Sequence, residues 1–207
     1  MFEEIYKAVI NSCGRIVNNK IVILESDDWG MIRTSSLSAF NALRTIFPLS
    51  ECGYSKNDAL ERNSDVTGLL EVLDSNRSKA VQNAIPKFTL NYVMFNPDFA
   101  RVEKNGFRNY FRESCLATYG NYDGSDKVME LVNEGVNQGC FMPQYHATEH
   151  IHINNWMRAL QSGDIPTMKA FQWGIANLHN ESQSNCPKEH LDAFGYREDE
   201  RTESLEE

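Results

Sequence analysis

The 207-residue sequence contains no apolar run near the ~18 residues that a membrane span needs, which excludes a chain built to cross a bilayer as a helix. It also lacks an excess of basic charge: 20 Lys and Arg stand against 29 Asp and Glu, for a net charge of −9. Nucleic acid, which calls for a basic surface, is therefore excluded as an expected partner. The five cysteines (Cys13, Cys52, Cys115, Cys140 and Cys186) are odd in number, scattered and free of any C-x-x-C pair, so neither a disulfide framework nor a structural zinc knuckle is expected. The opening Met1-Phe2-Glu3-Glu4 has neither the basic residues nor the apolar core of an export signal, which makes the cytoplasm the expected compartment. No internal repeat or low-complexity block is present.

What remains has the composition of a folded protein, with 41% hydrophobic, 11% aromatic and 24% charged residues in a length suited to about one domain. We expect a domain over residues 1–195 and an acidic polar tail over 196–207. Helical periodicity opens the chain at Glu3 to Asn11. Lys20 to Ser26 reads as a strand buried on both faces, ending at Asp27-Asp28-Trp29-Gly30. Ser35 or Ser36 caps a helix to Phe47, and an amphipathic segment follows over Val66 to Ala84, with a break signalled at Ser75-Asn76. Pro86 to Phe95 is the second strand, stopped by Asn96-Pro97 as a turn. Asp98 to Tyr119 reads as irregular to helical, and Ser125 to Gln138 as a helix with Leu131 and Val132 inward. Cys140 to His146 is the third strand, with a bulge expected at Pro143. Helices over Glu149 to Leu160 and Thr167 to Leu178 complete the pattern. Strands alternating with helices predict an α/β protein with a parallel sheet, open or barrel-like. In such folds the chemistry gathers at the carboxyl ends of strands.

Three clusters fall at those ends: Glu25 to Asp28, Asn91 to Asn96, and His146 to His150. His146 and His150 are four apart, so on a helix they would share one face and could bind one metal ion. A carboxylate from another strand end completes such a site, and Asp27-Asp28 offers two. Adjacent strand residues point to opposite faces unless the strand has begun to turn, so one carboxylate can bind the ion while the other stays free for a proton. Two histidines and a carboxylate with open positions suit zinc or another divalent transition metal, whose chemistry is to polarise an acyl oxygen and acidify water. Hydrolysis is the reaction class this set predicts.

Ile23-Leu24-Glu25-Ser26-Asp27-Asp28-Trp29-Gly30, taken with His146-Ala147-Thr148-Glu149-His150, resembles the polysaccharide deacetylase (NodB homology) superfamily. Asn96-Pro97-Asp98-Phe99, Pro143-Gln144-Tyr145 and Asn154-Asn155-Trp156 resemble a branch of it with a variant Ser-Asp-Asp-Trp-Gly start, and the similarity runs from Ile21 to Leu160. The resemblance implies a distorted parallel-stranded (β/α) barrel, Asp27 as general base, and Asp28, His146 and His150 as ligands of a divalent metal, zinc foremost with cobalt or manganese as alternatives. It implies acetylated sugars or polysaccharide precursors as substrates, with N- or O-acetyl groups removed by metal-assisted water. The alternative is a deacetylase-like protein that binds metal or carbohydrate without turnover.

The sequence also departs from the family. Its Arg, Asp/Trp and Leu-x-His motifs are not visible after His150, so the barrel reads as incomplete at its C-terminal side, with an exposed sheet edge open to homo-oligomer formation. His179, in Asn177-Leu178-His179-Asn180, is the candidate acid, against the alternative of a histidine at a helix terminus. Arg33 stands close enough to reach a substrate oxygen or tune the acid, against a surface salt bridge. Trp29 is read as lining a sugar subsite or packing at the barrel mouth, and Asn91 and Asn96 as facing substrate or capping a loop. Glu25 is a candidate partner for a histidine, His152 a surface or supporting group, and Trp156 and Trp173 are expected in the core.

Overall fold

In a computed structural model the described residues are 3, 5–7, 12, 20–47, 56–77, 86–176 and 190. They form an α/β unit around three parallel strands, β1 (Glu25–Trp29), β2 (Phe88–Val93) and a third, at Phe141–Ala147, in which β2 lies between the other two. Between β1 and β2 run α1 (Leu37–Arg44) and α2 (Asn63–Ser75). Ser36 caps α1 by accepting the Ala39 amide, and α2 stops where Ser75-Asn76 predicted a break.

The second crossover is more elaborate than the sequence suggested. Met94 ends β2, and β3 (Phe95–Pro97) leaves the main sheet to pair antiparallel with β4 (Arg112–Ser114), enclosing α3 (Phe99–Lys104). Asn96-Pro97 is therefore strand, not turn; Pro97 is tolerated because it ends a short strand in a two-stranded sheet. Next come α4 (Cys115–Asn121), α5 (Val128–Asn137) and the third parallel strand, β5 (Phe141–Ala147). Gly135 lets α5 approach β5 closely, since a Cβ there would run into the Phe141 ring. Then α6 (Ile153–Ser162) and α7 (Ile165–Gln172) follow, capped by His152 and Asp164.

Helices α2 and α5 cover one face of the sheet: Val66, Leu70, Leu73, Val128 and Val132 bury Leu90, Tyr92 and Phe141. A second core forms around fully buried Trp156 with Val102, Leu160 and Phe171, as expected for Trp156. Trp173, by contrast, is 42% exposed just past the end of α7.

β1 differs from expectation. It starts at Glu25 rather than Lys20, and Ile21 to Leu24 are exposed, Val22 by 81%. Among the described residues β1 is an edge strand and no second layer buries this run; the Leu24 carbonyl accepts the Thr89 amide. The uncovered face carries the register-matched row Glu25, Thr89 and Met142, and the pair Asn91 and Gln144. No barrel closes among the described residues. The expected first helix, the tail beyond 195 and His179 lie largely or wholly outside the described residues.

Candidate metal centre

The two strands flanking β2 each carry one extra residue at neighbouring levels, near the end of the sheet. Ser26 and Trp29 of β1 pair with Leu90 and Tyr92, so Asp27 and Asp28 together oppose Asn91 alone. Tyr145 and Ala147 of β5 pair with Tyr92 and Val93, which leaves His146 unmatched. An extra residue of this kind bends a strand and re-aims a side chain, and here the re-aimed residues are Asp28 and His146. Asp28 adopts φ 66, a left-handed conformation uncommon outside glycine, and its carbonyl accepts the Met31 amide at 3.2 Å.

His146 and His150 do not share a helix. His146 lies in β5 and His150 in the loop before α6, because His152 rather than Glu149 caps that helix. The loop is pinned from beneath, as the Met94 and Phe95 amides donate to the Ala147 and Thr148 carbonyls. Arg112, on β4, pairs with the largely buried Glu149 carboxylate at 3.0 Å. The two imidazoles stack with ring centres 5.8 Å apart.

Asp28, His146 and His150 converge, each offering one ligand atom within 4.8 Å of the others. Asp28 Oδ1 lies 3.5 Å from both His146 Nε2 and His150 Nε2, is buried, and receives no hydrogen bond. A tetrahedral ion with bonds of about 2.1 Å has ligand atoms roughly 3.4 Å apart, which fits these spacings. A buried carboxylate oxygen facing two imidazole nitrogens without a hydrogen bond is a suitable donor set for a divalent cation.

No protein-family model, curated protein or solved structure matches this chain significantly.

The other expected site residues divide into neighbours of the triad and residues of the framework. Arg33 does form salt bridges, partly buried ones beside the triad: Nη2 donates to Asp28 Oδ2 at 3.3 Å, and Nε lies 2.9 Å from Asp58 Oδ2. It thus occupies the second oxygen of Asp28 and leaves Oδ1 to the histidines. Burial pushes the Asp58 carboxyl up, against the opposing pull of Arg33. Asp27 is exposed and accepts from Asn91 Nδ2 at 2.6 Å, so Asn91 holds the free carboxylate. Trp29 does not line a subsite: it is buried in the helix-covered core beside Tyr92. Asn96 does not face substrate either; it is 1% exposed and spends its amide on the Ile32 amide, the Gly30 carbonyl and Thr118. Glu25 is exposed on the strand, and His152 is a buried helix cap rather than a surface group.

Two residues close to the centre were not anticipated, Asp58 and Glu61. Glu61 Oε2 accepts from the Gly30 amide at 3.2 Å and from Tyr119 Oη at 2.8 Å, and burial pushes its carboxyl up to about 7. No sequence signal marks either residue, since both lie in an aperiodic stretch some thirty residues from the turn they support. A cavity of about 380 Å³ lined by Tyr92, Met94, Leu116, Met129 and Tyr145 lies beside β5; it contains none of the three candidate ligands, and its apolar lining does not suit a sugar.

Proposed function

We propose that this chain is a metal-dependent hydrolase of polysaccharide deacetylase type that removes acetyl groups from a carbohydrate. The observation that carries this reading is the meeting of Asp28 with His146 and His150, from two strands and a loop, with Asp28 Oδ1 3.5 Å from each Nε2. A divalent ion held there, zinc foremost and cobalt or manganese as alternatives, would supply a Lewis acid for the acyl oxygen and lower the pKa of water. Asp27 takes the proton from the attacking water, and Asn91 holds its carboxylate in place. Arg33 keeps Asp28 oriented by engaging its second oxygen. The polar row on the uncovered sheet face supplies hydrogen-bonding partners of the kind a sugar requires.

On this reading the sheet is the opening part of a deacetylase-type (β/α) barrel. The outer edges of β1 and β5, which pair with no strand among the described residues, are the surfaces through which a homo-oligomer would form. One observation favours a second reading, a metal- or carbohydrate-binding protein without turnover: Asp27 lies outside the converging cluster and is tied to Asn91. Acetate release from acetylated chito-oligosaccharide and acetylated xylan, measured on protein loaded in turn with zinc, cobalt and manganese, tests the two. Release that disappears in His146→Ala supports the hydrolase; full metal occupancy without release on either substrate overturns it in favour of the binding protein.

A further inference from the structure

Asp28 reaches the histidines only because the chain turns sharply behind it. The turn runs from Asp28 to Met31, with Gly30 in third position at φ 80, as a type II turn demands. Three groups from elsewhere grip it. Glu61 Oε2 accepts the Gly30 amide, Asn96 Nδ2 donates to the Gly30 carbonyl at 2.7 Å, and Asn96 Oδ1 accepts the Ile32 amide at 3.0 Å. Each holder is itself fixed: Tyr119 Oη donates to Glu61, and Thr118 engages the Asn96 amide. Behind the turn, Cys115 Cβ and the Val93 carbonyl stand where a side chain on Gly30 would begin. The two peptide groups that meet at Gly30 are thus each held by a side chain, 31 and 66 residues away in sequence.

From this geometry we propose that Glu61 and Asn96 are positioning residues of the metal centre: by clamping the peptide groups on either side of Gly30 they hold Asp28 in its left-handed conformation and aim Oδ1 at His146 and His150. This inference rests on the metal-site reading above. A non-glycine residue at positive φ persists only where its surroundings over-determine it, and the clamp is that surrounding. Neither residue touches the ligands; both act through the backbone. An apolar side chain at either position leaves a buried amide or carbonyl of the turn unpaired and frees Asp28 to relax.

The test is cobalt binding to the full chain, read as dissociation constant and visible absorption band, with no dependence on turnover. Loss of supporting groups around a metal site commonly weakens it by about 10–100-fold, and that loss, with a weakened band, is expected for Glu61→Leu and Asn96→Leu. Glu61→Gln, which can still accept from Gly30, should stay within about threefold of the parent chain. Leu43→Ala supplies a destabilised control, because Leu43 packs in a separate cluster with Ala39, Ala170 and Ile175. It should bind cobalt as the parent does. Where a leucine variant fails to fold, Tyr119→Phe replaces it; removing only the hydroxyl on Glu61 should weaken cobalt by more than about threefold. Folded clamp variants that bind cobalt like the parent overturn the proposal, as does an equal loss in Leu43→Ala. If the parent chain binds no cobalt, or His146→Ala binds it unchanged, the metal-site reading itself falls and takes the clamp with it. Parent binding that His146→Ala abolishes and the clamp variants retain overturns the clamp alone.

Discussion

Glu61 should contribute a loss of stability as pH rises through the neutral range. Burial raises the Glu61 pKa from 4.5 to about 7; hydrogen bonds from Tyr119 and the Gly30 amide pull it back only in part, and the nearby Asp58 charge adds to the rise. Below the unfolded value both states hold the proton, and the protonated side chain contributes its full share to stability. Between the two values the folded protein keeps the proton while the unfolded chain has released it, so the unfolded state binds fewer protons and stability drops with pH. The slope is about 1.4 kcal/mol per pH unit, and over this window the loss comes to about 3 kcal/mol. Above the folded value the loss is complete and the curve is level again. Other groups titrate across the same range, so the measured quantity is a difference: the unfolding free energy of the parent chain minus that of Glu61→Gln, which keeps the shape and cannot ionise. Urea unfolding followed by tryptophan fluorescence, with Trp29 and Trp156 both buried, supplies it from about pH 5 to about pH 8. The difference should fall by about 2–3 kcal/mol across that range. A difference that is flat, or that rises with pH, refutes the assignment of a neutral-range proton to Glu61.

Two further perturbations probe the centre and the turn behind it. Asp27→Asn should abolish acetate release and leave cobalt binding intact, whereas Asp28→Asn should reduce both; an active Asp27→Asn shows that the base lies elsewhere. Gly30→Ala places a Cβ 2.9 Å from Cys115 Cβ and 3.0 Å from the Val93 carbonyl at φ 80. Strain and overpacking together should cost about 2–4 kcal/mol of unfolding free energy, and a loss below about 1 kcal/mol would contradict the tight turn.

Much of the architecture was legible because it rests on local pattern. Apolar runs and turn residues located three parallel strands, the break after Ser75, and α5 with Val132 inward. The triad residues were visible as a set because acids and imidazoles at strand ends are rare enough to be informative. The β3–β4 pair was not legible: strands of three residues carry too little periodicity to register, and Asn96-Pro97 has the composition of a turn. Nor was the extent of β1, since an aliphatic run such as Ile21 to Leu24 looks buried whether or not a second layer exists to bury it.

The substrate-facing alternatives for Trp29 and Asn96 fail for a common reason, register. Alternation along a regular strand would place Asp27 and Trp29 on one face, so with Asp27 exposed Trp29 would face solvent too. The extra residue in β1 breaks that parity: opposite Asn91 the strand spends two residues instead of one, so Trp29 comes back into line with Tyr92 on the helix-covered face. Asn96 is displaced by the parallel event in the middle strand, where Met94 ends one sheet and Phe95 begins the other, turning the amide inward onto the Gly30 peptide. The departure in β1 that hid Trp29 also builds the centre, because a regular β1 would send Asp28 to the face of Ser26 and Leu90 rather than to a point shared with His146. A sequence motif can therefore name the candidate ligands of such a site, but where they point follows from inserted residues in two strands and from a turn gripped by two remote side chains, Glu61 and Asn96.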